Sequence, residues 1–130
     1  MTDLERNRQL ATRWLDLVND GDVEAICRLI TPDWRMHGGP PGGLPPGPAG
    51  LRELFERHIG PIEQKWTVDD VIAEGDRVVV RATNCCIQEE FFGVPGRGRR
   101  QVFTATFTFR IVDGLIAEIW RNADDLGRLL

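Results

Sequence analysis

The chain contains no tyrosine, only two histidines and only three cysteines. No phenolic hydroxyl is therefore available to a site. Cys85 and Cys86 are adjacent and on a strand would point to opposite faces, which argues against a disulfide framework. There is no CxxC pair, and His37 and His58 are the only histidines, so the ligand spacing of a structural zinc site is missing too. No metal and no other cofactor is expected. No run approaches the roughly 20 apolar residues of a membrane span, and Met1 opens directly into a polar helix without a signal-peptide pattern. The expectation is a cytoplasmic protein with no membrane partner. A surplus of positive charge is lacking as well: the net charge is −4 with both signs mixed along the chain, so no footprint for nucleic acid is visible. The one basic run, Arg97, Arg99 and Arg100, sits among Pro95, Gly96 and Gly98 and reads as a solvated hairpin loop.

What is present fits one domain spanning 1–130, long enough to bury a hydrophobic core. Thr2 with Glu5 forms a capping box, and Ala11, Trp14, Leu15 and Val18 recur at helical spacing, which predicts a first helix from about Asp3 to Val18. Asn19-Asp20-Gly21 stops it. Asp22 caps a second short helix carrying Val23, Ile26, Leu29 and Ile30 up to Pro32. Gly38 to Gly50 is dense in glycine and proline and reads as a loop, an ordered lid or a mobile flap over a cavity mouth. Leu51, Leu54, Phe55 and His58 then form the stripe of a third helix that Gly60-Pro61 terminates, with His58 on or beside its buried face.

From Lys65 the apolar period changes to that of a strand. Trp66, Val68 and Ile72 lead to the turn Glu74-Gly75-Asp76, after which Val78, Val80, Ala82, Asn84 and Cys86 share one face. A hairpin loop around Gly93 to Gly98 follows. Phe103, Ala105, Phe107, Phe109 and Ile111 then alternate with Thr104, Thr106, Thr108 and Arg110, the pattern of a half-buried antiparallel strand. Asp113-Gly114 signals a tight hairpin into a last strand from Leu115 to about Asp124. Helices first and a meander of strands afterwards is an α+β order.

The segments Ile72-Ala73-Glu74-Gly75-Asp76-Arg77-Val78, Phe91 to Arg99, Asp113 to Trp120 and Asp124-Asp125-Leu126-Gly127 resemble the SnoaL-like polyketide cyclases of the NTF2-like superfamily. Met36-His37-Gly38 looks like the histidine segment of that family. The resemblance covers almost the whole chain in order, and it implies the NTF2-like (cystatin-like) cone: a curved antiparallel sheet packed on three N-terminal helices around an apolar pocket. Two departures stand out. Without tyrosine, the phenolic donor usual in ketosteroid-isomerase-like and limonene-epoxide-hydrolase-like sites is gone. The chain also stops at Leu130, where the family continues with a leucine-glutamine tail.

The resemblance implies that Asp124, four positions after the strand tryptophan Trp120, acts as acid/base. If the last strand has no bulge, Glu118, Trp120, Asn122 and Asp124 share a face, so the carboxyl would sit beside an indole and an amide that hold its pKa nearer neutrality. A helix or turn cap is the plainer role for Asp124. His37 and Asn122 are candidates to polarise a carbonyl, while His58 on its apolar stripe also suits a core position. Trp14, Trp34, Trp66 and Trp120 suit core packing, but Trp120 with Phe103, Phe107 and Phe109 would also line a cavity for a polycyclic or polyketide-like ligand, with Trp14 and Trp34 beside them. Arg81 reads first as a solvent or interface residue.

The chemistry expected is intramolecular aldol condensation of a conjugated carbonyl substrate without a cofactor. Opening of an epoxide, or hydroxylase-type chemistry, is the alternative within the enzyme class, and a second buried carboxylate such as Glu89 or Glu90 near Asp124 would favour the epoxide. A non-catalytic binding or dimerisation module is the alternative outside it. The threonine-rich outer face, Thr104, Thr106, Thr108 and Arg110, predicts a homodimer.

Overall fold

The computed structural model describes residues 1–60, 62–87, 90–91, 94–95 and 98–125. The capping box forms as the sequence dictates: the Thr2 amide donates to Glu5 Oε2 (3.0 Å) and the Glu5 amide to Thr2 Oγ1 (3.2 Å). Helix α1, Asp3–Asp20, buries Ala11, Trp14, Leu15, Leu17 and Val18 and ends at Gly21 in the left-handed conformation, φ 70°. Helix α2, Val23–Cys27, starts where the Asp22 carboxylate accepts from the Ala25 amide at 3.1 Å.

The second helix stops earlier than its apolar residues suggest. Ile30 opens strand β1, Ile30–His37, with Pro32 inside it. β1 is an edge strand, and an edge is the place where a residue without an amide hydrogen costs the ladder little. Helix α3, Gly47–Leu54, likewise begins inside the glycine-proline stretch that reads as loop, with a proline in its first turn, where the missing N–H has no helical partner to lose. Gly50 is required there: a Cβ on it would lie 1.8 Å from the Pro45 carbonyl oxygen. Phe55–Ile59 continues α3 as one π-helical turn, closed by the Gly60 amide donating to Phe55 O at 2.8 Å.

The strands that follow are β2 Glu63–Glu74, β3 Arg77–Ile87, β4 Glu90–Phe91, β5 Val94–Pro95, β6 Arg100–Val112 and β7 Leu115–Ala123. β4 and β5 pair as a small ribbon, and the other five form a sheet in the order β1-β7-β6-β3-β2. Three helices pack on this curved, unclosed sheet, the architecture expected of an NTF2-like cone. Its pairing is antiparallel except at β1, which runs parallel to β7, so the sheet is mixed rather than wholly antiparallel.

One face of the sheet is the core face. Val78, Val80, Ala82, Asn84 and Cys86 of β3 and Phe103, Ala105, Phe107, Phe109 and Ile111 of β6 are all buried on it, against Trp14 and its neighbours of α1. The β2 register shifts between Val68 and Asp70, so Val71 and Ala73 turn inward and Ile72 outward, 65% exposed. Asp113 and Gly114 both have positive φ, 50° and 78°, the primed turn that matches strand twist.

Candidate active site

The core face opens into a small pocket with an internal volume of about 40 Å³. Its floor is aromatic. Trp14 from α1 packs edge-on to Phe109 (5.7 Å between centroids, 71°), and Trp66 from β2 stands edge-on to Phe103 and Phe107 (5.5 and 5.1 Å). Val18 and Leu54 fill in between. The half-exposed lining residues Met36, Ile59, Ile62 and Gln64 mark the open side.

The π turn decides which residue reaches this opening. One extra residue per turn moves the apolar stripe forward, so Ile59 lines the cavity and His58, half-buried beside it, does not. Asn19 anchors the opposite wall: its side chain donates to the Trp66 carbonyl (2.9 Å) and accepts from the Trp66 amide (2.7 Å), satisfying backbone groups of an edge strand. Behind Trp66, the buried Asn84 donates to Gln64 Oε1 (3.0 Å), and Gln64 Nε2 donates to Ile59 O (3.0 Å), tying β3 through β2 to the π turn.

The charged member of the lining is Arg121 of β7, whose side chain is only 7% exposed. Its Nη1 donates to the Gly38 carbonyl (3.1 Å) and to Asp125 Oδ2 (3.0 Å), and its Nη2 to Asp125 Oδ1 (2.8 Å). A buried guanidinium needs such a bidentate partner, because an uncompensated cation in an apolar wall is costly. Gly38 permits the contact: its φ is +76°, and a Cβ there would lie 2.1 Å from the Arg121 carbonyl oxygen. In the segment Met36-His37-Gly38, therefore, Met36 lines the cavity and Gly38 holds the arginine, while His37 points the other way.

The other face of β7 carries residues expected in the pocket. Opposite Phe107 and Phe109 of the core face stand Arg121 and Ile119, whereas Trp120 and Asn122 pair with Thr108 and Thr106 of the outer face. The register shift between Arg110 and Ile111 sets this alternation. Trp120 is stacked on His37 (5.2 Å, 15°), and the Arg77 guanidinium lies 4.9 Å over its ring. His37 Nε2 is 2.5 Å from Glu118 Oε2, and Arg110 Nε donates to Glu118 Oε1 at 3.0 Å. The hydrogen bond from His37, with Arg110 adding to it, holds the Glu118 carboxyl below the ordinary glutamate range against the opposing effect of burial.

Of the residues that sequence reasoning selects, the structure brings Trp14, Phe103 and Phe107 together at the cavity, while Phe109 is buried without lining it. Trp34 is wholly buried on β1 without lining it, His37, Trp120 and Asn122 belong to the outer face, and the Asp124 side chain is exposed just past β7. Residues 38–50 do not line the cavity directly, and their contact with its wall is the Gly38 carbonyl that accepts from Arg121. Glu89 and the side chain of Glu90, the possible second carboxylate, lie outside the described residues, as do Arg97 and residues 126–130. Arg121, Asp125 and Gln64 are functional-site residues that the sequence patterns above do not single out. The signal for Arg121 was available, since it alternates with Ile119 on the apolar face of the last strand. No group of three or more His, Cys, Asp or Glu side chains that could hold a metal occurs among the described residues, and no helix among them is long and apolar enough to cross a membrane.

A model of the SnoaL-like polyketide cyclase family matches residues 8–130. Among solved structures, TsrD from Streptomyces laurentii is 31% identical, with a TM-score of 0.83 and coverage of 98% of this chain and 94% of that one. IdmH of Streptomyces antibioticus, a candidate polyketide cyclase, is 27% identical over 95% of each chain, with a TM-score of 0.72. An LEH-like epoxide hydrolase of M. tuberculosis is similar in fold, with 16% identity, a TM-score of 0.74 and coverage of 98% of this chain and 90% of that one. No curated protein matches the sequence.

Proposed function

Because the chain belongs to the SnoaL-like polyketide cyclase family, we propose that it is a cofactor-independent enzyme that closes a ring in a poly-β-keto ester or related conjugated carbonyl compound by intramolecular aldol condensation. The observation that carries this reading is the buried guanidinium of Arg121 in an otherwise mostly apolar cavity wall. Positive charge there stabilises the oxygen that becomes an enolate as a proton leaves the carbon between two carbonyls. It does so more strongly in a low-dielectric surrounding than in water. Arg121 thereby takes the carbonyl-polarising part that His37 and Asn122, on the outer face, are poorly placed to play.

A carbon flanked by two carbonyls is already fairly acidic, so one carboxylate suffices to take its proton. The resulting carbanion forms the new carbon–carbon bond to a second carbonyl of the same molecule, and the alkoxide so produced recovers the proton. This reading gives proton transfer to Asp124 on the family pattern alone, since its side chain is exposed just past β7 and outside the cavity lining, and gives Asp125 the task of positioning Arg121. On a model poly-β-keto ester, Asp124→Asn is expected to lower turnover by about 10²–10⁴-fold with an unchanged melting temperature. Asp125→Asn is expected mainly to raise KM and lower the melting temperature. The reverse pattern would transfer the proton-carrying role to Asp125, and full activity in both folded variants would remove acid/base catalysis by this pair.

A second reading draws on the Asp125 carboxylate bound to the buried Arg121, with Asp124 next to it in the chain. In it the same groups activate a water or an internal hydroxyl to open an epoxide. Diol formation from an epoxide substrate, without conversion of the keto ester, would select it over the aldol reaction. No turnover of either substrate by a protein that still binds them would leave a binding module.

A further inference from the structure

The aromatic pocket is small for the substrates proposed above. Its internal volume is about 40 Å³, against roughly 300–1,000 Å³ for a pocket that encloses a small-molecule ligand. A chain with two carbonyls and a ring to close must therefore reach beyond it. A second recess, of about 130 Å³, adjoins the pocket. Val18, Ile59, Ile62 and Gln64 line both spaces, so the two sit on opposite sides of one ridge of side chains. The Gln64 amide fixes that ridge, accepting from Asn84 at one end and donating to the Ile59 carbonyl at the other.

The recess differs from the pocket in its chemistry. Its remaining walls are Phe55 of the π turn, the Gly60 that closes it, and Asn19, Asp20 and Gly21 at the carbonyl end of α1. Asn19 is engaged with the Trp66 backbone. Asp20 is exposed, and its carboxylate has no ion-pair or hydrogen-bond partner among the described residues. It stands at the negative end of the backbone dipole of an 18-residue helix whose last turn holds no basic residue. A carboxylate there adds negative potential to negative potential, which a bound cation relieves. None of the residues described around the recess is cationic, whereas the pocket holds the Arg121 guanidinium. We propose that pocket and recess form one bipartite site. Its ligand places an apolar, carbonyl-bearing part in the pocket, with the oxygen toward Arg121, and an ammonium-bearing arm across the ridge against Asp20. The inference rests on the pocket being the substrate site, as in the function proposed above, and adds an amine to the substrate class.

Two probes of one length test this. 4-(2-Aminoethyl)acetophenone carries the ammonium, and 4-propylacetophenone replaces it with a methyl group. NMR signals of the whole wild-type chain separate the two spaces, because Met36 and Leu54, followed by their methyl groups, line only the pocket, and Gly21 and Gly60, followed by their backbone amides, line only the recess. The amino ketone is expected to shift both sets and to bind about two- to fivefold more tightly than the propyl ketone, the size of one exposed ion pair. Added salt should shrink that preference. Asp20→Asn should abolish it and leave the affinity for the propyl ketone unchanged. That variant is expected to fold, since it removes a negative charge from a helix C-terminus. If both ketones shift only Met36 and Leu54, the bipartite site fails and the pocket stands as the substrate site. Equal affinity of the two ketones for the wild-type chain, or a preference that survives Asp20→Asn, also overturns the proposal. If neither ketone shifts any of these signals at its highest soluble concentration, the bipartite site and the pocket reading fall together. The wild-type spectra and affinities decide the matter even should Asp20→Asn not fold.

Discussion

At the scale of single residues, the chemistry of this chain is divided between two faces of one strand. Arg121 looks inward and is bound to Asp125 and Gly38, while Glu118 and Trp120 look outward and are bound to His37, Arg110 and Arg77. The outward cluster has a pH signature. Its hydrogen bonds hold Glu118 below the ordinary carboxylate range, near 4.3 when unperturbed, so the folded state binds this proton less readily than the unfolded state does. The stabilisation is therefore complete above the unfolded pKa and is lost as pH falls through the lower folded pKa. Glu118→Gln removes the charge and keeps the shape. At pH 7 it is expected to cost about 1 kcal/mol, since the cluster is only partly buried. The gap between wild type and variant should close as the pH of urea denaturation is taken from 5 down to about 3. A constant gap over that range would mean that the side chain contributes by packing and not by charge.

At the scale of elements, the position of β2 depends on a residue that local reasoning treats only as helix punctuation. Asn19 closes α1 and also clamps both backbone groups of Trp66, so the aromatic floor of the cavity is registered to the helix. Asn19→Ala leaves an amide and a carbonyl on a part-buried edge unpaired and is expected to cost roughly 2 kcal/mol, a fall in Tm on the order of 6 °C. The thermal melt and the loss of cavity binding should move together. A variant with native Tm would show that water replaces the clamp without cost. The elements that announced themselves in the sequence did so through local chemistry: Thr2 and Glu5 for α1, the strict alternation from Phe103 to Ile111 for β6, and Asp113-Gly114 for the hairpin. Those that did not are set by partners far along the chain or by a single inserted residue. β1 exists because it pairs in parallel with β7, some eighty residues away, which no short window reports. The π turn exchanges His58 for Ile59 at the cavity, the β2 bulge turns Ile72 out, and the β6–β7 register puts Trp120 and Asn122 on the far side. The cavity itself was legible as an aromatic core face, but its polar end required knowing which parity of β7 faces in.

At the scale of the whole molecule, we propose that the outer face of the sheet pairs with a second copy of the chain. The register lines Ile72, Val79, Thr108, Trp120 and His37 across all five strands of the main sheet, a row of apolar and aromatic groups. Beside it runs Asp70, Arg81, Thr106 and Asn122, in which Arg81 is already paired with Asp70, and on its other side Arg77, Arg110 and Glu118 form a second charged row. Arg110 is paired with Glu118 and Arg77 with Asp76, and charges paired within one face reduce the repulsion it would meet from its own copy in an isologous interface. Ile72 and Val102, each 65% exposed, are apolar groups that such pairing would cover. Thr106 lies within this face, half-buried and remote from the cavity lining. A glutamate there enters twice, once from each copy, and adds a negative charge to the row that holds Asp70, whose own partner Arg81 is already engaged. Sedimentation of the wild-type chain at micromolar concentration is expected to give twice the chain mass, and Thr106→Glu should weaken association by at least about tenfold, equivalent to 1.4 kcal/mol. Its melting temperature at high protein concentration should fall with the dimer, because association stabilises the folded state by mass action. The cavity should persist in the variant, since it is built from the opposite side of the same strands. A wild-type chain that sediments as a monomer would sink the pairing, and a variant that lost the cavity along with the dimer would show that the two faces are coupled through the sheet between them.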